Sequence, residues 1–228
     1  MNVKFFRVGG CVRDKLLGLK SKDIDFSVEA ISFAAMKEAI EGRGGEIFLE
    51  TPEFFTIRAR VPELGAADFV LCRKDGEYSD GRHPDKVVHG TLEDDLARRD
   101  FTMNAIAEAE DGTLIDPHNG VQAIEDKEII CVGDAVKRFE EDSLRLLRAL
   151  RFSITKQFAL TREVAECMRS KSVAKGLVNV SDERIREEML RCFKHDTHLT
   201  LRLLEHFHVM RDIIFSSGTL KLIPSLKK

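Results

Sequence analysis

The 228-residue chain lacks the marks of several protein classes. It has no CxxC pair, and Cys11, Cys72, Cys131, Cys167 and Cys192 are odd in number and widely spaced. That argues against a disulfide framework and for a reducing cytoplasm, with the thiols serving as small buried hydrophobes. No apolar run approaches the ~20 residues needed to span a bilayer, which excludes a membrane partner of that kind. No charged and apolar leader precedes FFRVGG, so no signal peptide is expected. Positive charge is not in excess: 36 Lys and Arg face 39 Asp and Glu, for a net charge of −3. A wholly basic nucleic-acid binder is therefore excluded, and any nucleic acid must meet a local basic patch. His195/His198 and His206/His208 have no accompanying Cys or carboxylate set at zinc-like spacing. There is no HD-type phosphohydrolase signature, internal repeat or low-complexity stretch. With 43% hydrophobic residues, what remains is a soluble, cytoplasmic protein able to build one large core or two small ones.

The first part of the chain alternates between strand and helix patterns. VKFFRV (3–8), IDFSV (24–28), GEIFLE (45–50), FFTIRARV (54–61) and AADFVLC (66–72) read as strands. Val12, Leu16 and Leu17 share one helix face that Gly18 can close, and 32–41 reads as a helix behind Ser32 as N-cap. The polar run 73–86 reads as a loop. LEDDLARR and TMNAIAEA look helical, followed by a turn at DGT and a short strand at LID. Beyond Val132 nearly all periodicity is helical, over 135–155, 161–170, 182–194 and 198–208. The expected fold class is α+β: a head at 1–134, a helical neck at 135–196 and a short helical remnant at 197–228.

The densest local signal is GGCVRDKLLGLKSKDIDF at 9–26. Asp23 and Asp25 are two apart, which on a strand puts both carboxylates on one face. Such neighbours raise each other's pKa unless a cation lies between them. A hard divalent ion such as Mg2+ meets that need, taking further oxygens from substrate phosphates. A third carboxylate from a neighbouring strand would complete the set, and Asp68 in AADFVL is the candidate. Gly9 and Gly10 open a helix whose first N–H groups favour anions, and Arg13 adds charge on the same turn. Singly, a DxD is usually a solvated strand end and a GG only a turn. Their order and close spacing are what suggest a triphosphate held above metal-binding acids.

The same stretch resembles the signature of the class II tRNA nucleotidyltransferase and poly(A) polymerase family, a GGxVRDxLLG run followed by DxD. LARRDFTMNAIA (96–107), LIDPHNG (114–120), EEDSLRLLRALRF (140–152) and SDERIREEM (181–189) are similar to further family motifs and occur in the family's order. The resemblance implies a polymerase-β-type nucleotidyltransferase head followed by a helical neck. It also implies Mg2+-dependent, template-free transfer of a nucleotide from CTP or ATP to an RNA 3′-hydroxyl, with the tRNA acceptor end as partner. Arg99, Arg148 and Arg151 would then surround the nucleotide, and Asp100 and Asn104 would support its pocket and ribose. Asp116 reads as a turn-shaping residue beside Pro117.

A helix over 138–154 would carry Asp142, Arg145, Arg148 and Arg151 on one side, opposite Phe139, Leu146, Leu147, Leu150 and Ile154. Cytosine and adenine both present an amine beside an unprotonated ring nitrogen. A carboxylate and a guanidinium one turn apart, Asp142 and Arg145, can match that edge. Uracil and guanine would leave buried polar groups unpaired, at about 1–3 kcal/mol each. The resemblance assigns these two positions the same base-reading roles. Family members continue into a longer helical body, so the manner of gripping tRNA, and the choice between monomer and homodimer, stay open. The first expectation is a CCA-adding enzyme. The alternatives are a poly(A) polymerase, a CC- or A-adding enzyme, or an inactive RNA- or nucleotide-binding module.

Overall fold

The computed structural model describes residues 3–21, 23–76 and 87–216. They fall into two compact units that meet in sequence at Gly133 and Asp134. No helix among the described residues is long and apolar enough to cross a membrane.

The first unit is built on a seven-stranded mixed sheet. Its strands are β1 (Lys4–Val8), β2 (Ile24–Glu29), β3 (Glu46–Thr51), β4 (Thr56–Val61), β5 (Gly65–Leu71), β8 (Ala107–Ala109) and β9 (Leu114–Ile115). They lie in the order β3-β4-β5-β2-β1-β8-β9. Only β2 and β5 pair in parallel; the other neighbours are antiparallel. Arg73–Asp75 (β6) and Val87–His89 (β7) form a separate antiparallel ribbon. The loop expected over 73–86 therefore begins and ends as strand, because β6 and β7 satisfy each other's backbone groups. Its residues 77–86 lie outside those described.

Alternation along the strands gives the sheet two dissimilar faces. Phe5, Phe26, Val28, Ile57, Ala59, Ala67, Phe69 and Leu71 point to one side and pack against Ala35, Met36 and Ile40 of α2 (Phe33–Gly42). Phe26 and Phe69 stack with centroids 5.0 Å apart, and Phe5 meets both edge-on. Each fully buried apolar side chain of this kind contributes about 1.5–3 kcal/mol. Ser32 starts α2 by accepting the Ala35 N–H at 3.1 Å. On the other side Phe6, Val8, Cys72 and Ala107 pack with Leu92 and Leu96 of α3 (Leu92–Ala97). Thr91 and Asp94 close the start of α3 with a reciprocal capping box. Strand residues that alternate with the large core of the first face thus lie on the α3 side, among them Asp25 and Asp68.

TMNAIAEA is not a helix. Thr102–Asn104 form one 3-10 turn, and Ala107–Ala109 become strand β8 beside β1. Alanine favours a helix in isolation, but Ala105, Ile106 and Ala107 are fully buried at the sheet, and tertiary context overrides propensity. Asp116 accepts the N–H groups of Gly120 and Val121 at 2.7 and 2.8 Å, at the start of α4 (Gly120–Glu125). Gly120 is demanded there, because a Cβ would lie 2.1 Å from the Thr102 carbonyl oxygen.

The second unit is helical. It contains α5 (Ala135–Glu141), α6 (Leu144–Thr155), α7 (Arg162–Arg169), α8 (Lys171–Ala174), α9 (Asp182–His195), α10 (Thr197–His206) and α11 (His208–Ser216). The single helix expected over 135–155 is broken at Asp142, whose backbone is extended (φ −146°, ψ 100°). Asp142 Oδ1 accepts the Leu144 N–H at 3.0 Å, and Ser143 Oγ donates to the Phe139 carbonyl at 3.0 Å. Short polar side chains that bind local backbone start helices better than they continue them. The helix expected over 198–208 stops at His206 for α11 to begin.

Candidate active site

One row of the sheet gathers the acidic residues. Arg58 on β4 is the register partner of Asp68 on β5, Asp68 is the partner of Asp25 on β2, and Asp25 is the partner of Val8 on β1. Paired residues face the same side of a sheet, so the two carboxylates stand next to each other. Asp23 lies just before β2 and is exposed, not on the strand as expected. Burial pushes the pKa of Asp25 up, opposed first by the charge of Arg99 and reinforced by Asp68 and Asp23. The arginine fork of Arg58 binds Asp68 through both oxygens, Nε to Oδ1 at 2.5 Å and Nη2 to Oδ2 at 2.8 Å.

The chain reverses beside this row at Gly9, where β1 ends and α1 (Gly10–Leu16) begins. Gly9 has φ +72°, a region that strains any residue with a Cβ. A Cβ here would also lie 2.8 Å from Nη1 of Arg99 and 3.9 Å from Oδ2 of Asp25. Glycine therefore lets a guanidinium and a carboxylate close on the turn. Arg99 is anchored by Asp95 and Ser27, which receive or share its Nη2 at 3.1 and 3.3 Å, while its Nε is buried without a partner.

Arg13 is not a free surface cation. It is buried, donates Nη1 to the side-chain oxygen of Asn104 at 2.6 Å, and is held by Asp14 through Nε and Nη2. Asn104 in turn donates to Asp100 at 3.0 Å, and Asp100 accepts the Phe101 N–H at 2.8 Å. The motif at the glycine turn is thus linked directly to the one at 96–107. Beneath it lies Asp95, fully buried, accepting from Ser27 at 2.6 Å and from both Arg98 and Arg99. Burial alone would raise its pKa; the two arginines and the Ser27 hydroxyl outweigh that and bring it down to about 2.

In the second unit Asp142 and Arg145 are each held by protein partners. Asp142 Oδ2 accepts from Arg184 of α9 at 2.9 Å. Arg145 donates to Glu141 at 2.8 Å and to the Arg138 carbonyl at 3.0 Å. Arg151 pairs with Glu188 of α9, and its guanidinium lies 4.1 Å from the centre of the Phe152 ring. The Arg148 guanidinium lies 5.6 Å from the same ring. Sequence reasoning did not single out Arg58, Asp95, Ser27, Arg184 or Glu188. SDERIREEM offered the one available signal: it sits on α9, and Arg184 and Glu188 recur at i,i+4 on one face.

A model of the family described as "Poly A polymerase head domain" matches residues 5–130. The chain belongs to this family. Its poly(A) polymerase head domain accounts for the whole sheet and the glycine turn. The curated relatives include the CCA-adding enzyme of Geobacillus thermodenitrificans, 40% identical over 186 residues, which are 80% of this chain and 43% of that protein. The CCA-adding enzyme of Listeria monocytogenes is 37% identical over 82% of this chain and 46% of its own length. The chain thus spans less than half the length of these relatives. Among solved structures, the Bacillus stearothermophilus CCA-adding enzyme in complex with CTP superposes with a TM-score of 0.77 at 33% identity, covering 89% of this chain and 48% of that one. The Thermotoga maritima CCA-adding enzyme complexed with tRNA does so with a TM-score of 0.75 at 25% identity, covering 94% and 49%. The α+β class, with its mixed sheet and following helices, is the fold of these proteins.

Proposed function

We propose that this chain performs the chemistry of a CCA-adding tRNA nucleotidyltransferase, joining CMP and then AMP to the 3′ end of tRNA and releasing pyrophosphate. The observation that carries the proposal is the register pair Asp25–Asp68 beside the Gly9 turn and Arg99. Family membership and relatives named for CCA addition support it.

The acids suit a hard divalent cation. Asp25 is half-buried and its pKa is raised, first by burial and further by the neighbouring Asp68 and Asp23, and a cation among these acids would relieve their mutual repulsion. Among the described residues no group of three or more His, Cys, Asp or Glu forms a ready-made cage. Mg2+ needs none at sites where one or two carboxylates and the substrate phosphates complete its shell. In this proposal Asp25 and Asp23 would hold Mg2+, with Asp68 as the third carboxylate of the set, and the bound ion would neutralise charge on the leaving pyrophosphate and make the attacking hydroxyl more acidic.

The protein's own groups do the rest. Arg99 brings its positive charge to the turn, its Nη1 lying where a Cβ on Gly9 would come within 2.8 Å of it, and the first backbone N–H groups after Gly9–Gly10 favour phosphate oxygens. Arg13 acts through Asn104, holding the amide and Asp100 at fixed positions for the nucleotide. Asp142 accepts from the exocyclic amine of cytosine or adenine, and Arg145 donates to the neighbouring ring nitrogen. Arg184 and Glu141 keep that pair oriented before a base arrives, which lowers the entropy lost on binding. Arg148 supplies positive charge on the same helix, and Arg151, paired with Glu188, ties that helix to α9.

The test is a primer-extension assay with Mg2+, tRNA ending before CCA, and CTP, ATP, UTP and GTP given singly and together. Completion of CCA supports the proposal. Long A tails would make the chain a poly(A) polymerase, and incorporation of no nucleotide would make it a binding module.

A further inference from the structure

A cationic side chain of the protein meets the acidic row. Arg58 projects from β4 onto the same row as Asp68 and Asp25. Its fork takes both oxygens of Asp68, leaving neither free of a cation, and the guanidinium also lies in the fields of Asp23 and Asp25. Half of the Arg58 side chain is exposed, so solvent can receive it if the pair opens. Around it, Thr56, Ile57, Ala59 and Val61 carry no charge. Arg60 alternates with it on the same face, and reaches toward Glu46 at 3.6 Å rather than the acids.

We propose that Arg58 is an internal counter-ion for the acidic centre, bound to Asp68 when no divalent ion is present and displaced from it when one binds. The inference rests on the proposed assignment of Asp25 and Asp23 to a divalent ion, with Asp68 as the third carboxylate of that set. A bidentate guanidinium takes one acceptor direction on each oxygen of Asp68 and sets a positive charge against both, so a divalent ion approaching that carboxylate meets fewer open lone pairs and a like charge. Two consequences follow. The centre avoids the repulsion of bare neighbouring carboxylates between catalytic cycles. The ion must also break an ion pair before it binds, so Arg58 sets the divalent-ion concentration at which the centre fills.

The test uses the full chain and Mn2+ as the probe, with bound ion measured by electron paramagnetic resonance in the absence of nucleotide. Wild type, Arg58→Met, Arg58→Lys and Asp25→Asn are compared, with circular dichroism to verify folding. Arg58→Met should bind Mn2+ about fivefold more tightly than wild type, the scale of a well-formed surface ion pair. Arg58→Lys, which keeps the charge and loses the fork, should fall between the two. Asp25→Asn should weaken binding, which checks the metal assignment independently of Arg58. Unchanged or weaker binding by both Arg58 variants, with Asp25→Asn still weakened, would overturn the counter-ion role and leave the metal site standing. Binding that is indifferent to Asp25→Asn would overturn both.

Discussion

The Arg13 guanidinium reaches the side-chain oxygen of Asn104, 91 residues further along the chain, at 2.6 Å. This hydrogen bond joins the glycine-turn motif to the 96–107 motif inside the head, and Asp100 extends it through the Asn104 amide. Replacing Asn104 with Ala would remove both the acceptor of Arg13 Nη1 and the amide that donates to Asp100, in a buried setting. The expected cost is about 1–3 kcal/mol of stability, read from denaturant melts, with weaker CTP and ATP binding in equilibrium titrations. Full retention of nucleotide affinity would remove Asn104 from the pocket.

Asp95 gives the head an acid limb. Its folded pKa of about 2 lies below the ordinary value of 3.8, so its charged form stabilises the fold. That stabilisation is complete above about pH 4 and is lost as pH falls toward 2, and it amounts to ~2 kcal/mol. Asp95→Asn should lower stability at neutral pH and flatten the pH dependence between 4 and 2. Thermal melts across that range check both effects.

On α9, Glu188 is buried against Arg151. Glu188→Ala leaves the largely buried guanidinium of Arg151 without its carboxylate, and the expected loss of stability is about 3 kcal/mol, the low end of the range for enclosed pairs. Hydrogen exchange should show α6 and α9 losing protection together, since they pack on each other.

Arg184 is expected to act on base choice through Asp142, to which it donates at 2.9 Å. Arg184→Ala should raise incorporation of UMP and GMP relative to CMP and AMP, because a carboxylate held only by the Leu144 N–H can turn away from the base edge. Competition assays with paired nucleotides measure the ratio, and an unchanged ratio would confine Arg184 to structural support.

Much of this arrangement is legible locally. The alternation in IDFSV and AADFVLC marks both acid-bearing strands, because one face of each must enter a core. That β2 and β5 are adjacent and parallel is a non-local fact, and no pattern within either strand contains it. Nor does TIRARV single out Arg58, whose partner is set by pairing with β5. The break at Asp142 coincides with an Asp-Ser pair ahead of LRLLRALRF, but apolar periodicity that runs through both sides masks it. TMNAIAEA departs for the opposite reason: its alanines are helix formers in isolation, and burial beside β1, with β9 on the other side, decides otherwise.

The central claim, that the Asp25–Asp68 row drives nucleotide transfer, is tested most directly by Asp25→Asn. The measurement is CMP incorporation into tRNA lacking its CCA end, at saturating CTP and Mg2+, with CTP affinity determined in parallel. Transfer should fall by about a thousandfold or more, with the fold intact by circular dichroism and CTP still bound. Transfer within a few-fold of wild type would contradict it.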